Sequence, residues 1–228
     1  MIPPISIIVP ALNEADNLDQ LLPDLVRRWP RAEVVVVDGG SLDATARFPG
    51  ARRLSTAPGR ARQMNAGARA SRGEALLFLH ADTRLPDGAL EAVAGALADP
   101  RVVGGRFDVR FGSARAIMRV VAWSMNTRSC LSGIATGDQT MFVRRPVFDA
   151  TGGFPEIPLM EDVEFSRRLK RRGRIACLRL RVTASARKWE REGPIRTIIL
   201  MWALRLLYFC GASPARLHRW YYGHDPAS

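Results

Sequence analysis

Apolar residues along this chain alternate between short, nearly continuous runs and longer stretches with helical spacing. Ile5-Ser6-Ile7-Ile8-Val9, Val34-Val35-Val36-Val37 and Leu76-Leu77-Phe78-Leu79 are of the first kind, the mark of strands buried on both faces of a parallel sheet. Leu18, Leu21, Leu22, Leu25, Val26 and Trp29 recur three or four apart and predict a helix over 15–29, with Pro23 the one discordant position. The pattern then predicts a short helix over 43–48, a weak edge strand over 51–55, and a helix over 60–71 opened by Pro58-Gly59 and closed by Gly73. A further helix starts at Leu85-Pro86-Asp87 and ends at Asp99-Pro100. Beyond it the pattern changes to an extended segment over 102–111, a helix over 114–129, a strand from Gln139 to Val143, a short helix over 145–150, a basic helix over 161–172 and a strand over 175–180. The expectation is an α/β fold: a mostly parallel central sheet flanked by helices, with a mixed second half beside it and the cleft between the two.

Each early strand runs into polar residues, and ligands collect beyond the carboxyl ends of parallel strands. The first opens into Pro10-Ala11-Leu12-Asn13-Glu14, the second stops at Asp38-Gly39-Gly40-Ser41, and the third leads to His80-Ala81-Asp82-Thr83. Asp38 and Asp82 could be catalytic, could bind a nucleobase and a metal, or could cap the helices that follow. A divalent cation needs only one or two carboxylates when phosphate oxygens and water complete its shell, so Asp82 could bridge Mn2+ or Mg2+ to a diphosphate, with His80 beside it. The basic helix opens with Glu161-Asp162-Val163-Glu164, where acids also favour the helix dipole. Asp162 lies three before Phe165 and seven before Leu169, on the inward face, whereas Glu164 is turned away. An inward acid is a candidate general base, because partial burial raises a carboxyl towards the working range.

The chain has 228 residues, 47% of them hydrophobic, enough for one substantial core. A net charge of +12 points to a polyanionic partner, whether nucleic acid, an anionic membrane or a phosphorylated small molecule. Cys130, Cys177 and Cys210 are odd in number and lack metal-type spacing, which fits a reducing cytosol. The N-terminus has neither a basic leader nor a cleavage site, so no signal peptide is expected. Ile198 to Ala212 is shorter than the roughly 20 residues that a span requires and contains Arg205. Residues 1–193 are therefore expected to form the catalytic domain and 194–228 an apolar, basic helical tail. The tail packs on the domain, on a partner subunit in an oligomer, or on a membrane through 194–222, the last placing the protein on the inner face of the cell membrane.

With these residues in place the chain resembles the inverting glycosyltransferases of family 2, which have the GT-A fold and a Rossmann-like sheet. The likeness rests on Val9-Pro10-Ala11-Leu12-Asn13-Glu14, Val37-Asp38-Gly39-Gly40-Ser41 with Asp43, Asn65-Ala66-Gly67, Gly73, Leu79-His80-Ala81-Asp82, Gly152-Gly153-Phe154 and Glu161-Asp162, in that order. It is nearest to a compact bacterial subgroup with His-Ala-Asp-Thr and a Gly137-Asp138-Gln139 segment, which the resemblance puts on the acceptor side. It implies that Pro10, Ala11, Asn13, Glu14, Gly39, Asn65, His80 and Ala81 border a nucleotide-sugar donor, that Asp38 binds the base and that Asp82 holds the cation. It also implies that Asp162, with Glu161 beside it, is the catalytic base. His80 stands where the family's usual Asp-x-Asp has its first acid, and Met64 replaces an arginine before Asn65, leaving Arg60 or Arg62 to reach the diphosphate. The Gln-x-x-Arg-Trp motif of processive members survives only as Ser185-Ala186-Arg187-Lys188-Trp189, which disfavours a polymerase.

Two rivals remain open at this point. A nucleotidyltransferase of similar fold would want a glycine-rich loop after the first strand, and Pro10-Ala11-Leu12-Asn13-Glu14 has no glycine. A non-catalytic nucleic-acid-binding module would interleave aromatic and basic residues, yet the chain is only 7% aromatic, so no nucleic-acid partner is expected.

Overall fold

The structure is a computed structural model that describes residues 3–43 and 50–223, with Lys188 described in its backbone alone. Apart from Asp43, the helix expected over 43–48 lies outside the described residues. Eight strands, β1 (Ile5–Ala11), β2 (Glu33–Asp38), β3 (Arg52–Ser55), β4 (Ala75–Phe78), β5 (Thr83–Arg84), β6 (Val102–Phe111), β7 (Met141–Arg144) and β8 (Arg174–Ala184), form one sheet in the order β3-β2-β1-β4-β7-β6-β8-β5. Strands β1 to β4 pair in parallel, β7 runs antiparallel to both β4 and β6, and β5 is antiparallel to β8. The sheet is thus parallel in its first half and mixed in its second.

Both faces of β1, β2 and β4 are covered, which is why their sequences are continuous apolar runs. Ile7, Val9, Val36 and Leu77 point to one face and pack with Leu18, Leu21, Leu22 and Leu25 of α1 (Ala15–Arg28). Ile8, Val35, Val37 and Phe78 point to the other and pack with Ala61, Met64 and Ala68 of α2 (Arg60–Ala70). Pro23 is tolerated inside α1 because it faces solvent. The first face also carries α3 (Ala89–Leu97) and α4 (Ala116–Ser132); the second carries α5 (Arg145–Thr151) and α6 (Glu161–Lys170).

Several boundaries differ from the sequence expectation, each for a visible reason. Strand β4 ends at Phe78, so Leu79 to Asp82 form a loop before β5, and Asp82 sits in that loop rather than on the strand end. Helix α3 begins at Ala89 because Gly88 before it takes a left-handed φ of 71°. Gln139 belongs to a 3-10 turn, Gly137–Gln139, and not to the strand that follows. Strand β8 continues to Ala184 although Arg179, Leu180 and Arg181 are exposed, because past a bulge it keeps pairing with β6 as far as Phe111↔Ala184. The Ser185 to Trp189 segment opens an unforeseen helix, α7 (Arg187–Glu192), whose Trp189 packs edge-on against Phe111 at 5.4 Å.

A polar network inside the second half holds the turn that precedes β7. Arg106 of β6 is 1% exposed, pairs with Asp108 and donates to the Asn126 carbonyl at 2.7 Å. The Asn126 amide bridges the N–H and C=O of Val109 at 2.8 and 2.9 Å. Gln139 Nε2 donates in turn to Asn126 Oδ1 at 3.2 Å and to Ser129 Oγ at 2.8 Å. The tail, α8 (Pro194–Phe209) and α9 (Pro214–Tyr222), packs Leu204 and Leu217 against Met160 and Val163, so it closes over the start of α6.

Candidate active site

The carboxyl ends of β1, β2 and β4 lie side by side, which puts Asp38 and the Leu79–Asp82 loop on one sheet edge roughly 10 Å, two strand spacings, apart. Beside that edge Arg60, Met64, Phe78, His80, Gly137, Met141, Phe154, Glu161 and Asp162 line a narrow crevice. Among the described residues three other than glycine hold positive φ, and all three flank this region: Asn13 at 55°, Thr140 at 45° and Met160 at 70°. Backbone strain of this kind persists where surrounding structure enforces it and clusters at functional sites.

In the turn before β7, Gly137 makes the arrangement possible. A Cβ there would come within 2.5 Å of the His80 ring, so only glycine lets the imidazole lie against the turn. The Gly137 N–H donates to Asp162 Oδ2 at 2.9 Å, and the Val163 N–H donates to Oδ1 at 2.7 Å. Each carboxylate oxygen keeps a second lone pair for a substrate proton. Asp138, on the same turn, places Oδ1 3.7 Å from His80 Nδ1. Gln139 is fully buried and its amide is consumed by α4 and the Thr136 N–H, so it props the turn from behind instead of facing the crevice.

Glu161 is the more deeply buried of the paired acids, at 6% exposure, a placement that helical periodicity assigned to Asp162. Burial first, then the neighbouring Asp162, pushes the Glu161 carboxyl up to about 7 against the opposing pull of Arg60, whose Nη1 lies 3.9 Å away. Arg60 is half exposed, and although its surroundings oppose its charge, Glu161, Tyr222, Asp138 and Asp162 together hold it firmly protonated. The Glu161 shift carries a sign for stability. From the ordinary value of 4.5 up to about 7 the folded state binds more protons than the unfolded one, so the group costs stability as pH rises through that window. Glu161→Gln removes the cost. In scanning calorimetry the stability of Glu161→Gln relative to the natural protein should rise on the order of 3 kcal/mol between the two pH values and stay level above them; a flat difference would count against the raised carboxyl.

The tail contributes residues that the sequence did not suggest. Arg205 of α8 and Arg128 of α4 both lie within electrostatic reach of Asp162, and burial with the adjacent Arg205 pulls Arg128 down to about 10. The Arg128 Nη2 is buried without a hydrogen-bond partner among the described residues. Tyr221 and Tyr222 of α9, both pushed upward by burial, come within range of Arg60 and Asp138. Helical spacing alone could not show that these side chains come within electrostatic reach of the crevice residues.

At the carboxyl end of β2, Asp38 is buried and engaged. Its Oδ1 accepts from the Ser41 N–H at 2.9 Å and hydroxyl at 2.6 Å, and Oδ2 accepts from Arg53 Nη2 at 2.6 Å. Burial works against its charge, yet these bonds hold the carboxyl below the usual range. Pro10 and Ala11 are the last residues of β1, in register with Val37 and Asp38. Asn13 ties the first two loops together, since its N–H donates to Ser41 Oγ and its Oδ1 accepts from the Leu42 N–H, both at 2.9 Å. Glu14 pairs locally with Asn17. Gln63, which the sequence did not single out, donates to the Ala11 and Val37 carbonyls at 2.7 and 2.8 Å, and Gly39 packs on its amide.

Asn65 and Arg62 make contacts away from the loops that follow β1 and β2. Both ends of the buried Asn65 amide are taken by the Phe154 backbone, at 2.8 and 2.9 Å, and Arg62 Nε reaches Glu156 at 3.3 Å. Ala81 is buried. Asp82 is half-buried and its carboxylate has, among the described residues, only a 3.4 Å contact from Thr83 Oγ1. No group of three or more His, Cys, Asp or Glu that could hold a metal occurs among the described residues, so a cation here would draw most of its shell from a ligand and water.

The solved structures that resemble this chain share its fold. The 1–349 fragment of S. aureus TarS in complex with UDP-GlcNAc superposes with a TM-score of 0.65 at 20% identity, over 80% of this chain and 58% of that one. The mannosyltransferase PcManGT from Pyrobaculum calidifontis, in complex with GDP-Man and Mn2+, gives 0.59 at 23% identity, over 80% and 57%. The chain therefore spans under three fifths of the length of either. No curated protein matches significantly. The model of glycosyl transferase family 2 matches residues 6–152, more than half of the chain, so this protein belongs to glycosyltransferase family 2.

Proposed function

We propose that this protein transfers a sugar from a nucleoside-diphosphate donor to an acceptor hydroxyl in one inverting displacement, with Asp162 as the general base. The observation that carries this reading is the Asp162 carboxylate, fixed by two backbone N–H groups and facing the crevice that His80, Arg60 and Glu161 also line. Asp162 takes the acceptor proton as the acceptor oxygen bonds to the anomeric carbon, and the bond from that carbon to the diphosphate oxygen breaks with its electron pair. The products are the inverted glycoside and a nucleoside diphosphate. Family membership supports the donor class, as do the UDP-GlcNAc and GDP-Man bound to the two resembling structures.

The residues present fit a divalent cation bridged to the donor diphosphate. Asp82, nearly unengaged, would be its protein ligand, with His80 two residues away, and the cation would neutralise charge on the leaving group. Arg60 lines the crevice and would help to hold the phosphates. Asp38 and Gly39 would border the nucleobase, Asp38 through whatever capacity Ser41 and Arg53 leave it. Four acids around the crevice and loop, Asp82, Asp138, Glu161 and Asp162, disfavour a nucleic-acid backbone there. The acceptor would be a hydroxyl carried on lipid at the cytoplasmic face of the membrane.

Calorimetric titration of UDP-, GDP- and dTDP-sugars, with and without Mn2+, tests the reading. One donor should bind, more tightly with the metal, and Asp82→Ala should weaken metal-dependent binding by a factor on the order of 100 while leaving the fold intact. Donor affinity in Asp82→Ala equal to that of the natural protein, with Mn2+ present, would remove Asp82 from the metal site; no binding of any nucleotide sugar would remove the function.

A further inference from the structure

Helix α8 is apolar nearly all round, and the structure divides that apolar surface in two. Thr197 and Leu204, on one side, are 2% and 1% exposed and pack inward. On the opposite side Ile195, Ile199, Trp202, Leu206 and Phe209, spaced alternately four and three apart, form a continuous exposed stripe, with Trp202 at 57% and Leu206 at 65%. Helix α4, in contact with α8, exposes Val120, Trp123 and Leu131 from one face of its own, and α9 adds the exposed Trp220. A lone exposed leucine needs no explanation, but a run of large apolar side chains on adjacent helices marks an interaction surface.

Charge identifies the occupant. No acidic residue occurs between Asp108 and Asp138, which spans α4, or between Glu192 and Asp225, which spans α8 and α9. Arg115, Arg119, Arg196 and Arg216 are exposed along the same helices. A heptad-like stripe would also suit a second copy of the chain, but paired helices of that kind rely on opposite charges beside the seam, and two copies here would bring only arginines together. Tryptophan beside arginine, without acids, matches an anionic bilayer surface. At 16 residues α8 is about 24 Å long, and no helix among the described residues is long and apolar enough to cross a membrane.

We propose that the outer faces of α8 and α4 form a peripheral membrane-docking surface that lies in the interface of a bilayer containing anionic lipid. Leu204, on the buried side of α8, packs with Met160 and Val163 on either side of Asp162, so the candidate base lies directly behind the docking helix. A lipid-borne acceptor could then reach it without leaving the membrane. That last step rests on the glycosyl-transfer reading; the docking surface does not.

Co-sedimentation of the full chain with vesicles separates the outcomes. The natural protein should pellet with phosphatidylglycerol-containing vesicles, less with pure phosphatidylcholine, and less again at high salt. Ile199→Glu with Trp202→Glu should reduce partitioning by about tenfold or more, and Trp123→Glu by a smaller factor, with nucleotide-sugar binding unchanged. Arg196→Glu with Arg119→Glu leaves the apolar stripe intact and should abolish the preference for phosphatidylglycerol, which covers the case where the stripe variant does not fold. Natural protein that stays in the supernatant with phosphatidylglycerol vesicles, or stripe variants that partition as it does, would overturn the proposal. A concentration-dependent dimer that the stripe substitutions dissociate, without vesicle binding, would assign the face to a second copy instead.

Discussion

Asp162→Asn should lower turnover by about two to four orders of magnitude while donor affinity changes by no more than about twofold. The side-chain volume is kept, so the helix start and the crevice wall persist, but an amide cannot take the acceptor proton. The two carboxylate oxygens accept from Gly137 and Val163 N–H groups. An asparagine can satisfy only one of them with its oxygen and must turn its NH2 towards the other, at a local cost of about 1 kcal/mol. That cost moves a melting curve slightly and leaves the donor side untouched. A fall in turnover with constant donor affinity therefore separates a proton acceptor from a structural carboxylate. Equal loss in Glu161→Gln would make the pair the functional unit, because the two acids line the same crevice. Turnover within twofold of the natural enzyme in Asp162→Asn would remove it as the base.

Asp108→Leu should destabilise the fold by about 3–5 kcal/mol, because it leaves the Arg106 guanidinium buried and uncompensated. For a chain of this length that is a fall of roughly 10 °C in Tm by scanning calorimetry. Arg106 has nowhere else to go: it is 1% exposed, its Nη2 is already used by the Asn126 carbonyl, and its Nε has no partner. Arg106→Met combined with Asp108→Leu should recover most of the loss, since an apolar pair of similar volume removes the charge with its counterion. The pair also reaches the site through Asn126 and Gln139, which hold the Gly137–Gln139 turn. Asp108→Leu should therefore lower turnover at temperatures well below its Tm. A loss of under about 1 kcal/mol, or a double variant no better than the single, would refute the account.

The legible parts of the fold and site were those that one element decides. Val34 to Val37 read as a doubly buried strand because both faces are covered, and Asp38 follows directly at its end. Asp82 was legible as a polar residue beyond a strand, but not as a loop residue, since the end of β4 is set by its partners and not by the apolar run. Glu161 illustrates the limit. Helical periodicity placed Asp162 inward, whereas α8 and α9 pack Leu204 and Leu217 on the first turn of α6. That tail is where Arg205, Tyr221 and Tyr222 come from, and no local pattern signals an interaction with residues more than 40 positions earlier in the chain.

By itself, the amino-acid sequence determined the alternation of strands and helices, the parallel first half, the polar loops at its carboxyl edge and the absence of acids from α4 and the tail. These are properties of short windows, where burial on one or two faces dictates which side chains can follow one another. Only the tertiary structure decided that Gly137 seats His80 and binds Asp162, that Glu161 is the buried acid, that Asn65 and Gln139 brace the site from behind, and which side of α8 stays bare. Each of those depends on which distant segment fills the space beside a side chain, and the free energy of that choice resides in contacts between elements and not in the propensity of any one of them.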